Sequence, residues 1–329
     1  MVSGGGHDRR SFLRELFRGA SRAAREVETL RRDADDALRG SLPEDDSDLV
    51  PFAPRPAAPA ERLAVEDDVR SLCLELGRAE WADAAATLAR TSVRLTPGDT
   101  GRSWLGGTPE VATAFAWPTW EGVELDFLAR ISLEGLPPTP LPRSGALLVF
   151  FAVDRAPSGL RPAHAGACHV MYVDEEMDRD PGDVSRAPLV PSGELTLPAD
   201  PSFPLDAWEL EDWMELRERL ASSQGVALDE RTAEYEALHR LLGHADTYAP
   251  DMEIDAELVS RGIDLEEDPY AYAVHEEPAH GGSDWRLLLQ LSSDEAFGTL
   301  FEDAARLYVW IREEDLAVGR FDRVRAFLR

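Results

Sequence analysis

Leu128-Ala129-Arg130-Ile131-Ser132 returns 160 residues later as Leu288-Leu289-Gln290-Leu291-Ser292, and Leu147-Leu148-Val149-Phe150-Phe151 returns as Leu307-Tyr308-Val309-Trp310-Ile311. Residues 125–153 and 285–313 align without a gap, and Glu134 falls on Asp294. Self-similarity at a fixed offset constrains architecture before any single residue does. It predicts an α+β fold of two related β-rich halves, about 91–173 and 239–329, with largely antiparallel sheets. Helices are expected between and before the halves. Whether the halves share one sheet system or form two lobes stays open at this level.

Outward from the repeats, Gly145 to Val153 is a nearly unbroken apolar run, as in a strand buried on both faces. Arg306 to Ile311 is its counterpart, and His169–Val173 and Glu194–Pro198 read as shorter strands. Trp208, Trp213, Leu216 and Leu220 mark one helix; Tyr235, Leu238, Leu241 and Leu242 mark a second. Upstream, Val65, Val69, Leu72, Leu76, Trp81, Ala85 and Leu88 predict two short helices interrupted at Gly77. The order of elements lacks the regular βαβ alternation of a dinucleotide-binding fold.

The N-terminal part differs in charge. Residues 1–40 hold nine Arg against seven Asp and Glu, a net of +2, which leaves −31 of the total −29 for residues 41–329. Six Arg and one Glu lie between Arg9 and Arg25, with Phe12, Leu13, Leu16, Phe17, Ala20, Ala24 and Val27 at helical spacing. This is read as an Arg-rich amphipathic helix over 1–40, docked on a partner or on its own acidic body. Peripheral membrane contact through residues 9–30 is the lesser alternative. Arg9-Arg10 matches an export signal in outline only, because charged residues stand where its apolar region belongs. Residues 41–62, acidic and then rich in Pro and Ala, read as a linker, and 63–329 as the folded domain.

A net charge of −29 excludes nucleic-acid binding by the body of the protein, since phosphate recognition rests on Lys and Arg. No apolar run is long enough to be a transmembrane segment. Cys73 and Cys168 have no metal or disulfide spacing, which predicts a reduced, cytoplasmic protein.

Leu105-Gly106-Gly107-Thr108-Pro109 with Ala116-Trp117-Pro118 resembles the opening of the YwqG-like family, bacterial domains of unknown function. So do Phe127–Leu133 leading to Leu141–Gly145, His239-Arg240-Leu241-Leu242-Gly243-His244-Ala245-Asp246, and Trp285–Leu291. The resemblance covers residues 91–329 and implies a compact α+β domain with two related halves; it implies no reaction and no cofactor. Arg130 stands where the family usually has Gln, and Ser292 where it has Asp. A Trp-Gly-Asp-x-Gly segment is replaced by Phe301-Glu302-Asp303-Ala304-Ala305.

The residues with chemistry to offer are His239, His244, His275, His280 and Asp294, the donor types of a catalytic metal site. On a helix, members of each His pair would stand about 140° apart, so a metal site would need loops. Carboxylates Asp294, Glu295, Glu302 and Asp303 read as a solvated loop between strands, and Trp104, Trp117 and Trp120 as core. No nucleophile elbow or phosphate loop is present. The leading expectation is a non-catalytic acidic module that engages a basic protein, of inhibitor or immunity type. The alternative is a metal-assisted hydrolase with a loop-built His/Asp site.

Overall fold

The computed structural model describes residues 59–98, 101–109, 115–174, 186–199, 205, 207–226, 239–246, 252–268, 270–275, 280–293, 301 and 306–329. The Arg-rich stretch, most of the linker and Asp294 lie outside the described residues. Helix α1, Pro59–Glu75, starts inside the stretch read as linker, and α2, Ala82–Leu88, follows a 3-10 turn. Between them Gly77 takes φ +73 while the Arg78 N–H reaches back to Cys73 O at 2.8 Å, a Schellman ending that needs the glycine.

Next come β1 (Arg90–Pro97), β2 (Ser103–Gly106), β3 (Thr119–Trp120), β4 (Val123–Glu124), β5 (Asp126–Ser132), β6 (Ala146–Phe151), β7 (Cys168–Val173) and β8 (Arg186–Thr196). Helix α3 is Ala207–Ser223, followed by β9 (His239–Leu242), α4 (Met252–Ser260) and α5 (Ala271–Val274). The chain ends with β10 (Trp285–Ser292), β11 (Arg306–Arg312), α6 (Glu313–Ala317) and β12 (Arg325–Leu328).

Ten of these strands form one sheet in the order β12-β11-β10-β9-β1-β8-β2-β5-β6-β7. Every neighbouring pair is antiparallel. The expected pair of related halves with helices between them is therefore corrected. The aligned stretches are two hairpins, β5–β6 and β10–β11, of a single continuous sheet. Both carry a register shift, between Phe127 and Ala129 and between Leu287 and Leu289, so their likeness is that of local hairpins. The sequence pattern detects such likeness, but strand order depends on pairings between distant segments, which local similarity does not encode.

Twisted over ten strands, the sheet curls into a nearly closed, barrel-like form. Its ends are tied through the loop after β6: the Leu328 N–H of β12 donates to Ser158 O at 3.1 Å. Gly159 lies so close that a Cβ there would sit 1.9 Å from Ala326 O. Val93, Leu95, Leu105, Ile131, Val149, Leu241, Leu289 and Val309 alternate into the enclosed core. Outside the curl, α1–α3 bury Val69, Cys73, Trp81, Trp213 and Leu216 as one cluster, and α4 packs against Trp285, Tyr308, Trp310 and Phe327. Phe115, Trp117 and Trp120 cover Leu148 and Phe150 of β6.

Candidate functional site

Residues 239–246, His-Arg-Leu-Leu-Gly-His-Ala-Asp, cross the middle of the sheet. Leu242 pairs with Ser92 of β1, and Arg240 with Gln290 of β10. This corrects the helix expected over Tyr235–Leu242: residues 239–242 are strand β9, buried throughout. Leu241 enters the core, so alternation turns Arg240 to the opposite face. Leu242 (φ +61) and Gly243 (φ +75) then bend the chain out of the strand. A Cβ on Gly243 would lie 2.6 Å from Ser92 Cβ and 2.7 Å from Thr196 Oγ1, so the bend has room for glycine alone.

Around this bend a polar network is closed in on itself. Arg240 Nε donates to Glu194 Oε1 at 2.6 Å, with only 8% and 1% of the two side chains exposed. Ser92 Oγ lies 3.2 Å from the same oxygen. Arg240 Nη1 donates to His244 O at 3.2 Å, and the His244 N–H donates to Thr196 Oγ1 at 2.8 Å. Further along, the Asp246 N–H donates to Gln290 Oε1 at 2.9 Å, while Arg306 Nη1 and Tyr308 OH donate to Asp246 O at 3.0 and 2.8 Å. The network joins β1, β8, β9, β10 and β11 through one short segment.

Burial sets its electrostatics. It pushes the Asp246 carboxyl above the usual carboxylate range, against the pull of Arg240, Arg306 and Arg217. Burial, with Arg90 next in effect, brings the His244 imidazole down to about 3, so the ring is neutral at pH 7. Its Nε2 lies 2.8 Å from Leu88 O. A carbonyl only accepts, so Nε2 carries the hydrogen and offers no lone pair to a metal in this position. Beside the network lies a cavity of about 30 Å3, lined by Glu194, Arg217, Gln224, Arg240, His244 and Asp246. That is room for one or two water molecules.

The other candidate ligands are dispersed. His239 on β9 is fully buried, and its Nδ1 accepts the Ser292 N–H at 3.3 Å. Thus His239 is tied to β10 and His244 to the end of α2. His275 follows α5, whereas the His280 side chain and Asp294 lie outside the described residues. Among the described residues, no three His, Cys, Asp or Glu side chains converge as a ligand set. Cys73 and Cys168 are both buried, and burial pushes the Cys168 thiol up to about 12, which suppresses the reactive thiolate.

The three tryptophans do not share a pocket. Arg130 and Arg186 stack on Trp104 at 4.9 and 4.2 Å, Trp117 meets Phe150 edge-on at 5.2 Å, and Trp120 meets His164 at 6.2 Å. Sequence reasoning missed Ser92, Glu194, Gln290, Arg306 and Tyr308, whose roles arise from pairings across the sheet. The one local clue is Arg240 directly before Leu241-Leu242-Gly243.

Among the described residues no helix is long and apolar enough to cross a membrane. Comparison with curated proteins gave no match. The family model described as a domain of unknown function (DUF1963) matches residues 103–328, from the first residue of β2 to the last of β12. Strand β1 precedes the match yet occupies the middle of the sheet. With more than two thirds of its length matched, the chain belongs to this domain-of-unknown-function family, DUF1963.

Proposed function

We propose that this protein is a non-catalytic binding module whose acidic exterior engages a basic protein, as an inhibitor or immunity protein does. The observation that carries the reading is the placement of charge. Residues 59–88 hold seven Asp and Glu to three Arg, and residues 207–223 five to two, within a chain of net charge −29. Asp67, Glu80, Asp83 and Glu215 of this helical layer are exposed. They pair with Arg70, Arg78 and Arg219 in solvent. Twelve carboxylates to five Arg across these segments leave an acidic excess there, whereas Glu194 of the sheet pairs with Arg240 out of solvent. A surface with an acidic excess of this kind raises the encounter rate with an oppositely charged partner. The same charge disfavours nucleic acid. We place the protein in the cytoplasm, and within its family we place it with the YwqG-like group on the four segments quoted above.

The test starts from untagged full-length protein. A basic protein captured from the producing cells at 50 mM salt is identified and its Kd measured at 50 and 300 mM. The reading expects a loss of about tenfold or more over that range, because exposed charge pairs are screened. Affinity indifferent to salt contradicts it. So does a metal seen by native mass spectrometry whose removal abolishes a hydrolytic activity.

A further inference from the structure

We propose that the Arg-rich segment 9–27 of this chain docks in cis on an aromatic, acid-rimmed patch formed by Asp264, Glu266, Glu267, Tyr270, Tyr272 and Val274. The patch is anomalous for a soluble surface. Tyr270 is 72% exposed, Tyr272 45% and Val274 67%, so three of the large apolar side chains that reach solvent stand within five residues. Carboxylates Asp264, Glu266, Glu267 and Asp268 precede them directly, and no Arg lies between 264 and 274. Arg161 already pairs with Asp264 and Glu267, and the Ser158 hydroxyl donates to Glu266, which shows that the rim takes cationic and hydrogen-bonding groups.

Segment 9–27 supplies the complement: six Arg to two Glu, with Phe12, Leu13, Leu16 and Phe17 at helical spacing. Its apolar stripe fits Tyr270 and Val274, and its guanidinium groups fit the carboxylates and the tyrosine faces. The helical layer is a poorer host, because Leu74 is its one large apolar side chain in solvent among the described residues. Reach does not limit the contact. The 31 residues between Val27 and α1 span about 30 Å as a coil and about 100 Å extended. A domain of this size has a radius of gyration of about 18 Å. Tethering by such a chain gives an effective concentration of order 1 mM, so a weak contact suffices. The inference needs no outside partner and stands or falls apart from the proposed function.

Hydrogen exchange on the full chain tests it. At 50 mM salt the 9–27 amides are expected to exchange about tenfold or more slowly than free peptide, and 500 mM salt should abolish the difference. Y270A/V274S should release 9–27 while leaving β6 protected. R14E/R18E, which leaves the folded body untouched, should raise exchange in 264–275. Unprotected 9–27 at low salt overturns the inference. Protection that survives Y270A/V274S, or 264–275 exchange unmoved by R14E/R18E, places the segment elsewhere and also overturns it. Protection lost on dilution means that a second copy supplies the segment, which likewise contradicts docking in cis.

Discussion

Strands β9–β10 and strands β5–β6 send the same kinds of residue into the core and present opposite chemistry on their other faces. Behind β6, Leu148 and Phe150 meet Phe115, Trp117 and Phe127, with ring centroids 5.2–6.1 Å apart around Phe150. Behind β9 and β10, Arg240 and Gln290 meet Glu194, Asp246 and Tyr308. An apolar face loses stability in proportion to the atoms removed. A buried polar face loses it in steps, because each deleted partner strands another group in low dielectric. The two regions therefore predict different responses to equally small changes.

The largest effect is expected from removing β1. A chain starting at Ser103 keeps every matched family residue but leaves β8 and β9 without the strand between them. It should show no cooperative urea transition; a transition like that of the full chain would refute the sheet order. Next, Arg240→Met leaves Glu194 buried without its cation and should cost about 3–5 kcal/mol by urea unfolding. Gly243→Ala forces a Cβ against Ser92 at φ +75 and should cost about 2–4 kcal/mol. On the apolar side, Phe150→Leu should cost only about 1–2 kcal/mol, measured the same way.

The smallest effect is a pH dependence confined to the polar side. His244 titrates near 3 when folded and near 6.5 when unfolded, so its contribution is complete above 6.5 and is lost as pH falls toward 3. Between pH 7 and 5.5 the wild type should lose about 1 kcal/mol more than His244→Gln. Asp246 acts in the opposite sense. Its raised folded value favours the native state below the unfolded value, and that contribution is lost as pH rises through the folded one. Equal pH slopes for wild type and His244→Gln would remove the imidazole from the account.

The apolar region was the more legible one in the sequence. The run Gly145–Val153 contains β6, His169–Val173 matches β7, and Trp213, Leu216 and Leu220 lie on α3. Each carries its signal within a few residues. Strand β9 misled because it is buried on both faces, so Leu241 and Leu242 lose the period of two and join Tyr235 and Leu238 in a helical pattern. Only the end of β8 is legible as strand, in Glu194–Pro198, because Pro188 and Pro191 inside β8 obscure the pairing upstream. The polar network was illegible for a different reason. Ser92, Glu194 and Arg240 meet across separations of 102 and 46 residues, and no spacing rule spans such distances. Residues 125–153 and 285–313 align in sequence, but the alignment does not disclose that both hairpins belong to one sheet.

The most direct test is a double-mutant cycle on Glu194 and Arg240 by urea unfolding. Glu194→Leu and Arg240→Met should each cost about 3 kcal/mol or more, while the double variant costs less than the two together by about 2 kcal/mol or more, because no stranded charge remains. Single costs below about 1 kcal/mol that simply add would contradict a buried polar latch at the centre of this sheet.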